Sequence, residues 1–323
     1  MDVADIFNAT ANEYDEILDL WYAWLFSRLH FIIARDVIKA YAPKSILDVG
    51  CGTGFQSFLH AAGGAKTVIG IDIAEDLVKV ACKKSSNFNP RSGFALFPAH
   101  FKFVNKYNHL IERTIITEGN PVHTFSSPVF AVADARELPF PDGTFDHVNC
   151  CGSTLSLIDN HCQALAEISR VLRPGGTFLF EVEARWGADV FWMLIDCLLL
   201  RGKLGFHTSI KESLKALTAP ISEYVYIDYP FVVAGELTFL RLKLFTEKGI
   251  RRELSNLGFR VIKKYSIHSM TNILPGTWLA MANPPKMLRL LFTILASIEE
   301  NFPFYLPGSS IVFLAQKENL CAT

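Results

Sequence analysis

The sequence has no apolar run long enough to span a bilayer, no CxxC pair, no block of basic residues, no internal repeat and no low-complexity tract. Each absence removes a class of protein. The two most apolar stretches, VFWMLIDCLLL (190–200) and MLRLLFTILASI (287–298), fall short of the roughly 20 residues that a transmembrane helix needs, and Asp196 and Arg289 interrupt them. They read as helices buried in the protein or resting on a membrane. With 31 Lys+Arg against 32 Asp+Glu, a net charge of -1 and a pI near 6.8, the chain offers no basic face for a phosphate backbone, so no nucleic-acid partner is expected. Seven cysteines, at 51, 82, 150, 151, 162, 197 and 321, favour reduced thiols over a disulfide framework. His161 and Cys162 follow Cys150 and Cys151 closely, yet the spacing fits no usual zinc pattern. Buried thiols packing as small apolar groups are the simpler reading, and no metal is expected. The acidic opening MDVADIFNATANEYDEILDL lacks a basic segment followed by an apolar core, so no signal peptide is expected. The expected location is cytoplasmic, with peripheral attachment to a membrane left open.

What is present is half hydrophobic, with a mean hydropathy of +0.25, and alternates strand-like and helix-like segments. Strands are expected at 45–49, 67–72, 129–134, 145–151, 177–184, 259–267 and 309–317. Helices are expected at 17–41, 54–62, 75–84, 160–172 and 246–257, the fourth stopped by Pro174-Gly175-Gly176. The expectation is one α/β domain over 1–323: a doubly wound, mostly parallel sheet covered on both faces, with a helical cap at 1–43. Three insertions interrupt it: 85–127; an apolar, mostly helical one at 185–245 placed as a lid; and an apolar one at 269–308. The helix of the last is expected to start at Pro284-Pro285.

The stretch ILDVGCGTGF (46–55) places an acid in a strand and then three glycines in five residues. Glycine there lets backbone approach a ligand, and a helix opening after the loop offers free N–H groups. A dinucleotide loop needs G-x-G-x-x-G; here Gly50, Gly52 and Gly54 give G-x-G-x-G, and Phe55 stands where the third glycine would fall. Asp48, expected at the pocket rim, would repel a pyrophosphate and attract an ammonium. Asp72 ends the second strand, placed for a ribose diol, and Asp134 ends the third, placed for an adenine amino group, with the N–H of Ala135 beside it. Three acids at three strand tips suit a cofactor without phosphate, S-adenosyl-L-methionine, over NAD(P).

ILDVGCGTGF, VIGIDIA, VADARELPFPDGTFDHV and EISRVLRPGGTFLFE, in that order and spacing, resemble the class I, seven-stranded S-adenosylmethionine-dependent methyltransferases, in the branch holding ubiquinone-type and glycine- or sarcosine-type small-molecule enzymes. The likeness covers roughly 44–184 and, more loosely, 246–268 and 309–317. It implies strand order 3-2-1-4-5-7-6 with the last strand antiparallel. It also implies Gly50, Cys51, Gly52, Thr53 and Gly54 around the methionine part, Asp72 and Ile73 at the ribose, Asp134 and Ala135 at the adenine, Cys151 facing the methionine through its backbone, and Tyr14 reaching the cofactor.

Transfer of an activated methyl needs positioning more than an obligatory base; His161 and Glu181 are the weak base candidates, with Tyr14 behind them. CCGS follows the fourth strand where nucleic-acid amino methyltransferases carry a D/N/S-P-P-aromatic tetrad, and no Pro-Cys dipeptide is present. A small molecule remains, and the apolar insertions point to a lipophilic acceptor of quinone, terpenoid, fatty-acyl or natural-product type. Residues Met287, Leu290, Leu291, Ile294 and Ile298 fall on one side of a helix; packing inside a lid is the plain reading, with membrane-surface or homodimer contact as the alternatives. A non-catalytic S-adenosylmethionine-binding regulator and a nicotinamide-dependent dehydrogenase stay open as rival functions.

Overall fold

A parallel sheet buried on both faces needs strands that are apolar throughout, and β1 (Ser45–Val49, SILDV), β4 (Phe145–Cys150, FDHVNC) and β5 (Leu172–Glu183) are built that way. The computed structural model describes residues 2–16, 19–88, 102–116, 126–206, 208–220, 224–233, 236–281, 283–301 and 307–319. With β2 (Thr67–Asp72), β3 (Val129–Val132), a separate hairpin of β6 (Val225–Val233) and β7 (Glu236–Leu244), then β8 (Phe259–Ile267) and β9 (Ser310–Lys317), the main sheet has seven strands in the order 3-2-1-4-5-9-8. Leaving out the hairpin and renumbering turns this into 3-2-1-4-5-7-6. The final strand, β9, runs antiparallel to both of its neighbours.

The helices follow the expected alternation: α1 (Val3–Thr10), α2 (Leu20–Ile32) running through a π turn into α3 (Lys39–Tyr41), α4 (Phe55–Ala62), α5 (Glu75–Ser86), α6 (Lys102–Ile116), α7 (Thr154–Leu157) and α8 (His161–Val171). Then come α9 (Ala188–Ile195), α10 (Ile210–Thr218), α11 (Glu247–Asn256), α12 (Gly276–Leu279) and α13 (Lys286–Asn301). Within the 85–127 insertion α6 is described, while 89–101 and 117–125 lie outside the described residues.

Period-two alternation sorts the strands onto two cores. Leu47, Val148, Phe178, Phe180 and Val182 face the helices α8 and α11. Leu179, Val312 and Leu314 face α2, α6 and α13, with Trp24 and Phe292 among the buried groups. By the same alternation Asp48 on β1, Asn149 on β4 and Glu181 with Glu183 on β5 share the α2 side.

The 185–245 insertion corrects the helical reading. Its second half is the β6–β7 hairpin, paired from Val225↔Leu244 to Val233↔Glu236. Aromatic and β-branched residues in YVYIDYPFVV favour a pleated strand, and Val225, Ile227, Leu240, Leu242 and Leu244 are buried on one face. Pro230 is tolerated because β6 has a single strand neighbour. A smaller correction falls at Pro174-Gly175-Gly176: α8 has already ended at Val171, and these residues open β5.

Candidate functional site

Between β1 and α4 the chain turns off the sheet with its donors pointing inward. Gly50 N and Cys51 N both donate to Ile71 O at 2.8 and 2.9 Å, and Gly54 N donates to Cys51 O at 2.9 Å. Gly52 N donates to Asp72 Oδ2 at 2.8 Å. Four of the loop's N–H groups are therefore consumed inside the protein, which is the opposite of a phosphate-binding nest. Gly50 has φ +70°, and a Cβ there would sit 2.3 Å from Thr154 Oγ1. Gly54, at φ +92°, lies where a Cβ would fall 2.7 Å from the Phe130 ring. It supplies the close packing that a dinucleotide loop draws from its third glycine.

The N-terminal segment clasps this loop. Thr53 Oγ1 donates to Asp15 Oδ1 at 2.5 Å, and Lys84 Nζ donates to Asp15 Oδ2 at 2.8 Å and to Thr53 Oγ1 at 3.2 Å. The neighbouring Tyr14 ring is thereby held across Gly52, within 3.6 Å of the point where a Cβ would stand. Burial, followed by the charges of Asp72 and Asp15, pushes the Tyr14 hydroxyl well above its ordinary pKa. Asn8 Oδ1 accepts from Asp76 N at 2.9 Å, fixing α1 to the start of α5.

The three strand acids differ. Asp72 stays at the tip of β2, half-buried, with Oδ1 accepting from Ala74 N at 2.9 Å; burial raises its pKa against the pull of those N–H donors. Ile73 next to it is exposed. Asp48 is not at a rim. It is 1% exposed and accepts from Ser57 Oγ at 2.6 Å and from Asn149 Nδ2 at 2.7 Å, with burial raising its carboxyl to about 6. It props the loop from beneath, since β1 and β4 pair Asp48 with Asn149 in register. Asp134 is not free either: Arg136 grips it through Nε and NH2, at 3.0 and 2.6 Å, and that bond lowers its pKa. Ala135 beside it is buried, as are Cys51 and Cys151, whose thiols burial pushes well above their usual range.

Neither base candidate is available. Glu181 is fully buried and accepts from Gly152 N at 2.7 Å, from Ser153 N at 3.1 Å and from the Ser310 hydroxyl. Two successive N–H groups can converge on it because Gly152 and Ser153 have φ of 81° and 63°. His161 Nε2 meets Glu253 Oε2 at 3.0 Å while Nδ1 meets Lys243 Nζ at 3.0 Å; Lys243 also donates to the carbonyls of Ile158 and Asp159. The ammonium leaves Nδ1 as acceptor, so Nε2 carries the proton toward Glu253. His161, Cys162 and Glu253 do bring three ligand-type atoms within 4.8 Å. With its proton on Nε2, however, the imidazole has no lone pair to give a metal there.

The carboxyl that the sequence reading missed is Glu183, two residues along β5 on the same face as Glu181. Its Oε1 accepts from Ser153 Oγ at 2.5 Å, and burial together with the charge of Glu181 raises its pKa above the carboxylate range. Glu183 is close enough to the Tyr22 and Tyr229 hydroxyls to raise both, after burial and other acids. Tyr22 comes from α2, Tyr229 from the hairpin, and Asp189, raised by burial to about 7, from α9. The cap, the hairpin and the 185–245 helices thus converge on the ends of β4 and β5. The i, i+2 spacing of two acids in FEVE was the available signal.

Two family models, each described as a methyltransferase domain, match residues 42–95 and 112–180. The chain is 28% identical over 261 residues to a demethylmenaquinone methyltransferase of Symbiobacterium thermophilum, covering 72% of this chain and 88% of that one. It is 29% identical over 182 residues to the ubiquinone/menaquinone biosynthesis C-methyltransferase UbiE of Hahella chejuensis, covering 55% and 57% of the two chains. The fold is similar to that of the [4+2]-cyclase SpnF at a TM-score of 0.54 and 16% identity, over 98% of this chain and 95% of that one. In sheet order and glycine loop the chain is similar to the class I S-adenosylmethionine-dependent methyltransferases, and both matching models are methyltransferase domains. It is an enzyme whose cofactor is S-adenosyl-L-methionine.

Proposed function

We propose that this enzyme transfers a methyl group to a small, lipophilic acceptor with an acidic proton, of the hydroxylated quinone kind. The observation that carries the cofactor half is the inward-turned glycine loop, whose consumed N–H groups suit a cofactor without phosphate. Gly50, Cys51, Gly52, Thr53 and Gly54 with Tyr14 and Cys151 would hold the methionine part. Asp72 and Ile73 would hold the ribose, and Asp134 with Ala135 the adenine once Asp134 exchanges its Arg136 partner. Asp48 supports the loop. When bound, S-adenosylmethionine supplies a methyl already activated on sulfur.

The protein's own task is then orientation, exclusion of water and removal of a proton. Glu183 is the group for the last: one oxygen is held by Ser153, and its raised pKa brings it toward the working range of a general base. The acceptor gains the methyl and its O–H or C–H proton passes to Glu183. Tyr22 and Tyr229, whose hydroxyls feel the charge of Glu183, would offer aromatic faces suited to an apolar ring. The names of the quinone-modifying relatives support the same acceptor class.

The test is calorimetric titration with S-adenosylmethionine, S-adenosylhomocysteine and NADH, followed by labelled methyl transfer. Asp72→Ala is expected to weaken the first two by about 10–100-fold, the loss of bonds to a charged group. Binding of NADH alone would sink the cofactor assignment. Methylation of small hydrophilic amines with no hydroxylated quinone accepted would sink the acceptor class.

A further inference from the structure

Helix α13 is apolar on two sides. Phe292 and Ala296 are buried in the core it shares with α2, yet Met287 is 81%, Leu290 63% and Ile294 50% exposed. These three, spaced i, i+3 and i+7, form one stripe. The packed-lid reading of this stripe is thereby corrected: its large side chains face outward.

A second outward apolar group lies at the end of α9, where Leu198 and Leu199 are exposed, the latter by 75%. The two groups belong to neighbouring elements. Gly276 N at the start of α12 donates to Asp189 Oδ1 on α9 at 3.2 Å, and Thr277 Oγ1 donates to Leu204 O at 2.5 Å. Trp278 of α12 is exposed between them, and α13 begins seven residues after α12 ends.

The two segments that carry these side chains have charge of one sign, and the acids at the far end of α13 are Glu299, which is buried, and Glu300, which pairs with Lys106 at 2.6 Å. Residues 197–206 and 276–298 contain no Asp or Glu, while Arg201, Lys203, Lys286 and Arg289 fall within them and are exposed. The acid at the edge of the first segment, Asp196, is buried and turned inward, accepting from Leu204 N at 2.8 Å and Phe206 N at 3.1 Å. That turn is what holds Arg201 and Lys203 beside Leu198 and Leu199. Exposed aliphatic and aromatic side chains among cations are the composition of a surface that enters the headgroup region of an anionic bilayer. No helix among the described residues is long and apolar enough to cross a membrane.

We infer that the face formed by α13, α12 and the end of α9 docks on a membrane rich in anionic lipid, with Leu199, Met287, Leu290 and Ile294 entering the interface and Arg201, Lys203, Lys286 and Arg289 meeting the headgroups. The docking is independent of which acceptor is methylated.

Flotation with phosphatidylcholine vesicles, with and without phosphatidylglycerol, tests it. The wild-type protein is expected to float with the phosphatidylglycerol vesicles at low salt and to be released at high salt. Leu290→Gln and Ile294→Gln each weaken this binding roughly tenfold through lost apolar burial. Lys203→Gln and Lys286→Gln each weaken it roughly fivefold, leave the apolar stripe intact, and have no effect on the phosphatidylcholine vesicles. All four positions are exposed, so cofactor affinity by titration is expected to stay unchanged. Absence of flotation on phosphatidylglycerol vesicles at low salt overturns the inference. So does a dimer, seen by light scattering, that Leu290→Gln dissociates, since a second copy is then the occupant. Flotation reads location and not methyl transfer, so failure of the proposed acceptor leaves it standing.

Discussion

The Ser153 hydroxyl donates to Glu183 Oε1 at 2.5 Å, joining the loop after β4 to the end of β5. Because this bond favours the charged carboxylate, it lowers a pKa that burial and Glu181 raise. Activity should rise with pH as Glu183 ionises. Glu183→Gln is expected to reduce kcat by about 10²–10⁴-fold and to leave S-adenosylmethionine affinity unchanged. Ser153→Ala should shift the acidic limb of the kcat/KM profile to higher pH. An unaltered profile in both variants would remove Glu183 from the chemistry.

Gly50 tolerates no side chain. Alanine there must adopt φ +70° and place its Cβ 2.3 Å from Thr154 Oγ1, a strain of about 1–3 kcal/mol from the backbone alone. Gly50→Ala should lower the urea midpoint and abolish detectable cofactor binding. Adding Thr154→Ala removes the two nearest atoms and should recover part of the stability. A single variant as stable as the wild type would contradict the loop geometry.

Three histidines are buried together under the sheet. The His60 and His147 rings lie 5.3 Å apart, and burial lowers His30 and His60 from the usual 6.5 to about 3. The unfolded chain takes up protons at 6.5 that the folded imidazoles refuse. Stability is therefore complete above about pH 6.5 and is lost as pH falls toward 3, by up to about 1.4 kcal/mol per pH unit for each histidine. His60→Leu, which replaces a ring with two unpartnered nitrogens, should flatten the pH dependence of the urea midpoint between pH 6.5 and 4. An equally steep fall in the variant would show that other groups carry the acid sensitivity.

The Lys243–His161–Glu253 chain is read as structural. Lys243→Met takes a donor from buried His161 Nδ1 and from the carbonyls of Ile158 and Asp159, the last of which keeps the Tyr226 hydroxyl, and should cost about 1–3 kcal/mol in denaturant unfolding. Treatment of the wild-type protein with a chelator should leave its thermal midpoint unchanged. A midpoint that falls with chelator and returns with zinc would reinstate His161, Cys162 and Glu253 as ligands.

The sheet and its strand order were legible because apolar runs, glycine loops and strand-end acids follow local rules. ILDVGCGTGF marked β1 and the loop, and VFAVAD and FDHVNCC marked the next strands within one or two residues. The hairpin was not legible, because Tyr, Phe, Leu and Val in 225–244 suit a helix core as well as a pleat. What decides is pairing between Val225 and Leu244, nineteen residues apart. The partners of the acids were hidden for a related reason. Asp48 looked like a rim acid until its strand was placed beside Asn149, and Asp134 looked free although Arg136 stood two residues away. Glu181 and Glu183 have identical side chains on one face; only the turn at Gly152-Ser153 gives the first two backbone N–H donors and the second a single hydroxyl.

The strand β9, at 310–317, lies between β5 and β8 and completes the hydrogen bonding of both. During synthesis β5 and β8 leave the ribosome with an open edge each, and no later neighbour fills either gap until residue 317 is free. A chain stopped shortly before residue 310 would carry the whole glycine loop and still present two unsatisfied sheet edges, the template for pairing with another molecule. The nascent protein therefore reaches its native sheet only after residue 317 has been made, and it depends on protection from aggregation until then.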